Sequence, residues 1–252
     1  MAEPPPVYRD DRRAGSFGSA ADEYDRYRPR YPDSLVRDLV TQDGIRALDV
    51  GAGTGIASVQ LMDAGATVLA VEPNARMAEK AMGKNVAVEQ ATFEEWDPAG
   101  RSFALVVFAQ SFHWVEPWSA LAKVANVLEP DGRLVLLSNH ITPVQPARPD
   151  LDHAYAGLLN VSERPAVDAA RDKALGVVFA QAGFSVEKRR VVEHLHYAME
   201  EWVQMVCTYS SVLTLEPQAR DLLRRRLIQL IGSTGVDAVN EAVAVICTRV
   251  TP

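Results

Sequence analysis

Residues Arg46 to Asn74 read RALDVGAGTGIASVQLMDAGATVLAVEPN, and this stretch decides the fold. Ala47 to Val50 is a short apolar run ending at Gly51, the pattern of a strand buried on both faces of a parallel sheet, although Asp49 interrupts it. Behind the loop, Ile56, Val59, Gln60 and Met62 to Ala64 have helical spacing. Gly65 is placed to end that helix in the left-handed conformation. Thr67 to Val71 is the next strand, so the unit is strand, helix, strand, with a right-handed crossover expected.

The loop Gly51-Ala52-Gly53-Thr54-Gly55 lacks bulk where backbone must turn tightly and approach a ligand. Its amides open a helix, where partial positive charge favours an anionic or carboxylate-bearing ligand. Glu72 closes the second strand about 20 residues on, the offset at which an acid can accept from two ribose hydroxyls. The pair indicates a nucleoside cofactor. The dinucleotide fingerprint wants glycine or alanine at its sixth position, and Ile56 there counts against NAD or FAD.

A G-x-G-x-G loop behind L-D-V, with V-E-P-N after the next strand, resembles the class I S-adenosylmethionine-dependent methyltransferases. Two more stretches resemble one branch of that family: Y-x-x-x-R-P-x-Y-P at Tyr24 to Pro32, and A-Q-S-F-H-W-V at Ala109 to Val115. The resemblance implies an α/β fold, a doubly wound, mostly parallel, Rossmann-like sheet of seven strands. Its last strand would be antiparallel and inserted beside its neighbour, and helical lid insertions would cover it. The implied cofactor is S-adenosyl-L-methionine, with S-adenosyl-L-homocysteine as product. Implied cofactor contacts are Tyr24, Arg28, Asp49, Gly51, Ala52, Gly53, Gly55, Glu72, Pro73, Thr92, Phe93 and Gln110. Arg28 is a candidate partner for the cofactor carboxylate, while Thr92 and Phe93 frame the base where many relatives carry an aspartate. Trp114 and Tyr209 are expected to meet the acceptor.

Ser102 to Ala109 is a nearly continuous apolar run, read as the central fourth strand, so Gln110 to Trp114 emerge where open parallel sheets bind ligands. His113 there is the candidate proton acceptor, because neutral imidazole is available near pH 7. A structural histidine held beneath Trp114 is the alternative reading. Around this centre the pattern alternates strand and helix. Asp33 is expected to cap a helix over Ser34 to Thr41, and Pro73 to sit in the first turn of the next. Asn85 to Glu89 reads as the third strand. A helix from Pro117 stops at Glu129-Pro130-Asp131-Gly132, and Arg133 to Ser138 is the fifth strand. Phe184 to Leu195 and Ala242 to Val250 complete the set.

The 252 residues suit one large domain, placed at 19–252, with a tail over 1–18 expected to be disordered. An insertion at 139–164, read as a long connection with a short helix, and a helical one at 199–232 are expected to roof the site. A net charge of −7 argues against a nucleic-acid footprint, and the Arg224-Arg225-Arg226 run reads as a solvated helix face. No apolar run reaches the roughly 18 residues of a membrane span, and the N-terminal stretch has no apolar signal core. Cys207 and Cys247 are too few for a disulfide scaffold, so a cytoplasmic protein is expected, monomer or homodimer, acting on a small-molecule acceptor. His194 and His196 share a strand face without metal-ligand spacing, and neither G-x-S-x-G nor G-K-S/T occurs. Two readings stay open beside the methyltransferase: a nicotinamide-dependent oxidoreductase, which lacks its Y-x-x-x-K pair here, and a non-catalytic S-adenosylmethionine-binding protein.

Overall fold

The computed structural model describes residues 15–159 and 175–250. Residues 1–14 of the expected tail and 160–164 of the first expected insertion lie outside them. The elements are α1 (Ala21–Tyr27), α2 (Asp33–Arg37), β1 (Arg46–Val50), α3 (Ile56–Asp63), β2 (Thr67–Val71), α4 (Ala75–Met82), β3 (Ala87–Glu89), β4 (Phe103–Ala109) and α5 (Pro117–Val127). They continue with β5 (Leu128–Gln145), α6 (Arg148–Tyr155), α7 (175–181), β6 (Phe184–Tyr197), α8 (Met199–Cys207), α9 (Ser210–Leu213), α10 (Pro217–Ile231) and β7 (Val236–Arg249).

The strands form one seven-stranded sheet in the order β3-β2-β1-β4-β5-β7-β6. β1 to β5 pair in parallel, and β7 runs antiparallel between β5 and β6. This is the doubly wound sheet with an inserted antiparallel last strand that the resemblance implies. Side chains alternate across it because the strand period is two. Leu48, Val50, Val106 and Phe108 pack with Leu121 and Val124 of α5 on one face. Ala47, Leu105 and Val107 pack with Leu35, Leu39 and Leu61 on the other.

Several boundaries differ from expectation for tertiary reasons. Asp33 is the first residue of α2 and forms no side-chain cap, and α2 ends at Arg37. The chain leaves α2 through tighter turns, Leu39 and Val40 donating to the carbonyls of Val36 and Arg37, and Arg133 of β5 donates to the Leu39 carbonyl at 2.6 Å, fixing this exit to the sheet. Pro73 lies outside α4, whose cap is Asn74, with its Oδ1 accepting from the Arg76 and Met77 amides at 3.1 and 3.3 Å. Ser16–Ala20, placed mostly in the expected tail, form a 3-10 helix. Phe17 there meets the rings of Tyr24 and Trp114 edge-on, each at 5.8 Å.

The largest departure is in the outer strands. β5 runs to Gln145, absorbing the first part of the expected connection, and the stop at 129–132 is an irregularity between Phe103 and Leu105 of its partner ladder. β4 stops pairing at Leu137, so residues beyond it have a neighbour on one side, and Pro143 is tolerated there. The β5–β7–β6 arm carries a separate apolar cluster: Trp202, Val203, Met205, Leu223 and Leu227 gather with Leu151 of α6 and with Val236 and Ala238 of β7. Residues 199–232 are therefore a helical cap with its own core. Its arginine run is less solvated than expected: Arg224 pairs with Glu200 at 2.9 Å, and Arg226 donates to the Ala156 carbonyl at 2.8 Å.

Candidate active site

A cavity of about 680 Å³ opens at the carboxyl ends of β1, β2 and β4, within the size range of small-molecule sites. From the glycine loop it is lined by Gly51 and Gly53. From β2 and its continuation come Glu72, Pro73 and Asn74, and from the turn after β3 come Thr92 and Phe93. Gln110, His113 and Trp114 line it after β4, while Tyr24, Arg28 and Tyr209 close it from α1 and the cap. Twelve of the fifteen site residues expected from sequence thus share one wall. Ala52 faces a small adjoining cavity of about 50 Å³.

Asp49 and Gly55 do not line either cavity. Asp49 shares the face of Ala47, toward α3, where its Oδ2 accepts from the Ser58 hydroxyl at 2.6 Å. It is fully buried, and its Oδ1 has no partner among the described residues. Burial raises its pKa to about 6, against the opposing Ser58 bond. Gly55 caps α3 at φ 79°, and a Cβ there would meet the Ala81 Cβ at 3.0 Å, so it serves helix packing. Gly53 is different: at φ 58°, an added Cβ would meet nothing nearer than Tyr24 Cε1 at 4.0 Å, because it points into the crevice.

The loop amides are arranged otherwise than expected. Gly51 and Ala52 donate to the Val71 carbonyl at 2.8 and 3.3 Å, and Gly55 donates to Ala52. Gly53 donates to Glu72 Oε2 at 2.8 Å, and Glu72 Oε1 accepts from the Asn74 amide at 2.9 Å. The loop folds back over the end of β2, so the amides of Gly51, Ala52, Gly53 and Gly55 are satisfied within the protein instead of being aimed at an anion. Glu72 is 7% exposed, and burial raises its pKa against the two amide bonds. Each carboxylate oxygen keeps a further lone pair for a hydroxyl donor.

Arg28 is pinned. Its Nε donates to Thr208 Oγ1 at 2.8 Å and its Nη2 to the Thr208 carbonyl at 3.0 Å. The guanidinium lies between the rings of Tyr24 and Tyr209, 4.8 and 4.3 Å from their centroids. Gln110 adopts φ 59°, uncommon outside glycine, held by its amide on Leu137 O at 2.8 Å and its Nε2 on Asn139 O at 3.1 Å. His113 sits in the 3-10 turn Phe112–Trp114, its ring 4.8 Å from that of Trp114. The cavity also takes Phe17, Met77, Asn139 and Ile141, which sequence reasoning missed as site residues. Phe17 was hidden in a stretch of disordered composition, and the other three are placed by tertiary packing.

A methyltransferase-domain family model matches residues 24–189, more than half of the chain. The chain belongs to the class I S-adenosylmethionine-dependent methyltransferases. It is similar to an uncharacterised methyltransferase of Mycobacterium bovis, 32% identical over 244 residues, covering 94% of this chain and 95% of that one. Among solved structures, a protein of Anaeromyxobacter dehalogenans provisionally described as a type II methyltransferase superposes with a TM-score of 0.60. The identity is 20%, over 90% of this chain and 99% of that one. Phosphoethanolamine N-methyltransferase 2 of Haemonchus contortus, solved with phosphomonomethylethanolamine and S-adenosylhomocysteine, gives 0.55 at 13% identity, over 93% of this chain and 58% of that one. At these identities the two structures speak for the shared fold of the methyltransferase. Among its described residues no helix is long and apolar enough to cross a membrane, and no cluster of His, Cys, Asp and Glu could hold a metal.

Proposed function

We propose that this methyltransferase moves a methyl group from S-adenosyl-L-methionine to a small-molecule acceptor. The observation that carries the reading is the crevice lined by Gly53 and Glu72. It is open, it ends in a buried carboxylate, and the amides of Gly51, Ala52, Gly53 and Gly55 are already paired. A carboxylate with spare lone pairs suits the two hydroxyls of a ribose, whereas a pyrophosphate would find few free amide donors and would lie beside a negative charge. That combination favours an adenosyl sulfonium over NAD.

Bound there, S-adenosylmethionine supplies a methyl carbon made electrophilic by the attached sulfonium. The protein has then to hold an acceptor in line and exclude water, a positioning contribution that reaches ~7 to 11 kcal/mol. Phe17, Tyr24 and Trp114 form a connected aromatic wall suited to desolvating a cation. Arg28, held against two rings, presents Nη1, unpaired among the described residues, as a donor for a carboxylate. His113 takes the proton when the acceptor is a hydroxyl; a carboxylate acceptor would not need it.

Calorimetric titration with S-adenosylmethionine, S-adenosylhomocysteine and NAD tests the cofactor: the first two bind and NAD does not, and binding of NAD alone would overturn the reading. Incubation with methyl-labelled cofactor and a metabolite extract should then place label in a small product; a persistent blank would identify a binding protein without catalysis. His113→Ala should keep cofactor affinity and slow methylation of a hydroxyl by ~100-fold or more. An unchanged rate would make His113 structural.

A further inference from the structure

The turn Thr92 to Trp96 contributes Thr92, Phe93, Glu94 and Glu95 to the cavity, yet it follows a strand of three residues and has no regular structure of its own. The turn makes bonds of its own, the Trp96 amide donating to the Thr92 carbonyl at 2.9 Å and the Glu95 amide to Thr92 Oγ1 at 3.2 Å, and it is also held from outside. On one side, Trp96 donates its indole N–H to Glu89, which Arg101 grips through two nitrogens at 2.6 and 2.9 Å. On the other side stands Lys123 of α5. Its ammonium donates to the carbonyls of Phe93 at 2.6 Å, Glu94 at 3.0 Å and Trp96, so all three of its protons are used on one turn. It also lies 5.2 Å from the Phe93 ring centroid and 5.7 Å from that of Trp96, and both side chains are buried. Lys123 does not line the cavity. Desolvation lowers its pKa, against the pull of Glu94 and Asp97.

Three carbonyls converging from one turn are an unfavourable arrangement without a cation among them. We propose that Lys123 is a positioning residue for the nucleoside half of the cofactor site: it holds the Thr92–Trp96 turn in the shape that meets the base without touching the ligand. The inference rests on the cofactor reading above. It assigns to α5, on the outer side of the turn, control over one end of the ligand and none over the acceptor end, where His113, Trp114 and Tyr209 stand.

The test compares wild type with Lys123→Met and Lys123→Arg in the full chain, by calorimetric titration with S-adenosylhomocysteine and with 5′-methylthioadenosine, which has the nucleoside but no amino-acid carboxylate. Methionine keeps the apolar stem and removes the donors. It should weaken both ligands by the same factor, about tenfold if one charge-assisted bond's worth of order is lost, with unchanged stoichiometry. Lys123→Arg should recover part of the loss, because a planar fork reaches two of three converging acceptors. With turnover, KM for S-adenosylmethionine should rise while kcat and the acceptor KM stay within about twofold, as expected when a variant loses binding common to ground and transition states. Unchanged affinities, or weakening confined to S-adenosylhomocysteine, would overturn the proposal. So would a fall in stoichiometry at unchanged affinity, which would mark Lys123 as a general support of the fold. Failure of wild type to bind either ligand would instead overturn the cofactor reading on which it stands.

Discussion

Asp49 lies under the glycine loop with one oxygen on Ser58 and the other unpartnered, an arrangement with a defined pH consequence. Its pKa is about 6 in the fold against an ordinary 3.8. A raised folded pKa means that the native state holds the proton more tightly than the unfolded chain does. Its contribution is therefore fully present below about pH 4 and is lost as pH rises through 6, by ~3 kcal/mol for a difference of this size. Asp49→Asn removes the titration. Urea unfolding at pH 4.5 and 7.5 should show wild type losing stability relative to the variant as pH rises, and parallel changes in the two proteins would disprove it. Glu72, also raised, acts in the same direction in both proteins, so the difference between them reports Asp49 together with its repulsion from Glu72.

Among the elements, α1 works as a strap. Asp22 pairs with Lys80 of α4, and Asp25 with Lys84 and the Thr54 hydroxyl, which ties the strap to the glycine loop. Arg28 at its end ties it to Thr208, at the end of α8 in the cap. The strap and the cap thus meet over the cavity through one guanidinium and two tyrosine rings. Thr208→Val keeps the shape and removes the hydroxyl that Arg28 Nε uses. Amides of Ala21–Tyr27 should then exchange hydrogen faster by about tenfold or more, as loss of a bond to a charged group implies, while those of β1 and β4 keep their protection. Equal acceleration in the strands would mean global loosening and would refute the strap.

For the whole molecule, the cavity wall is drawn from the strap, the strand ends and the cap, so a ligand that fills it stabilises all three against unfolding. S-adenosylhomocysteine at ~100 times its Kd should add about 2.7 kcal/mol. For a chain of this size that is a rise in Tm of roughly 5 to 10 °C. Thermal melts with this ligand and with NAD decide the matter: an equal rise with NAD would contradict a site built around ribose hydroxyls and a carboxylate.

Local patterns sufficed for the strand, loop, helix and strand from Arg46 to Val71, the acid at Glu72 and the central strand ending at Ala109, because apolar period and glycine placement are written within each segment. The sheet order rested on family resemblance, and the structure bears it out. Hidden from local reading were the contacts between segments distant in sequence: Pro143 inside a strand whose second neighbour has ended, Gln110 held left-handed by Asn139, and Arg28 committed to Thr208. The same holds for the loop amides turned back on Val71 and Glu72 and for Lys123 serving a turn about 30 residues before it. Sequence alone determined which residues could form the crevice, since backbone freedom and burial preference are properties of each residue. Tertiary structure alone decided which of their donors and acceptors remain for a ligand, since a hydrogen bond is settled by whatever partner the fold brings within about 3 Å.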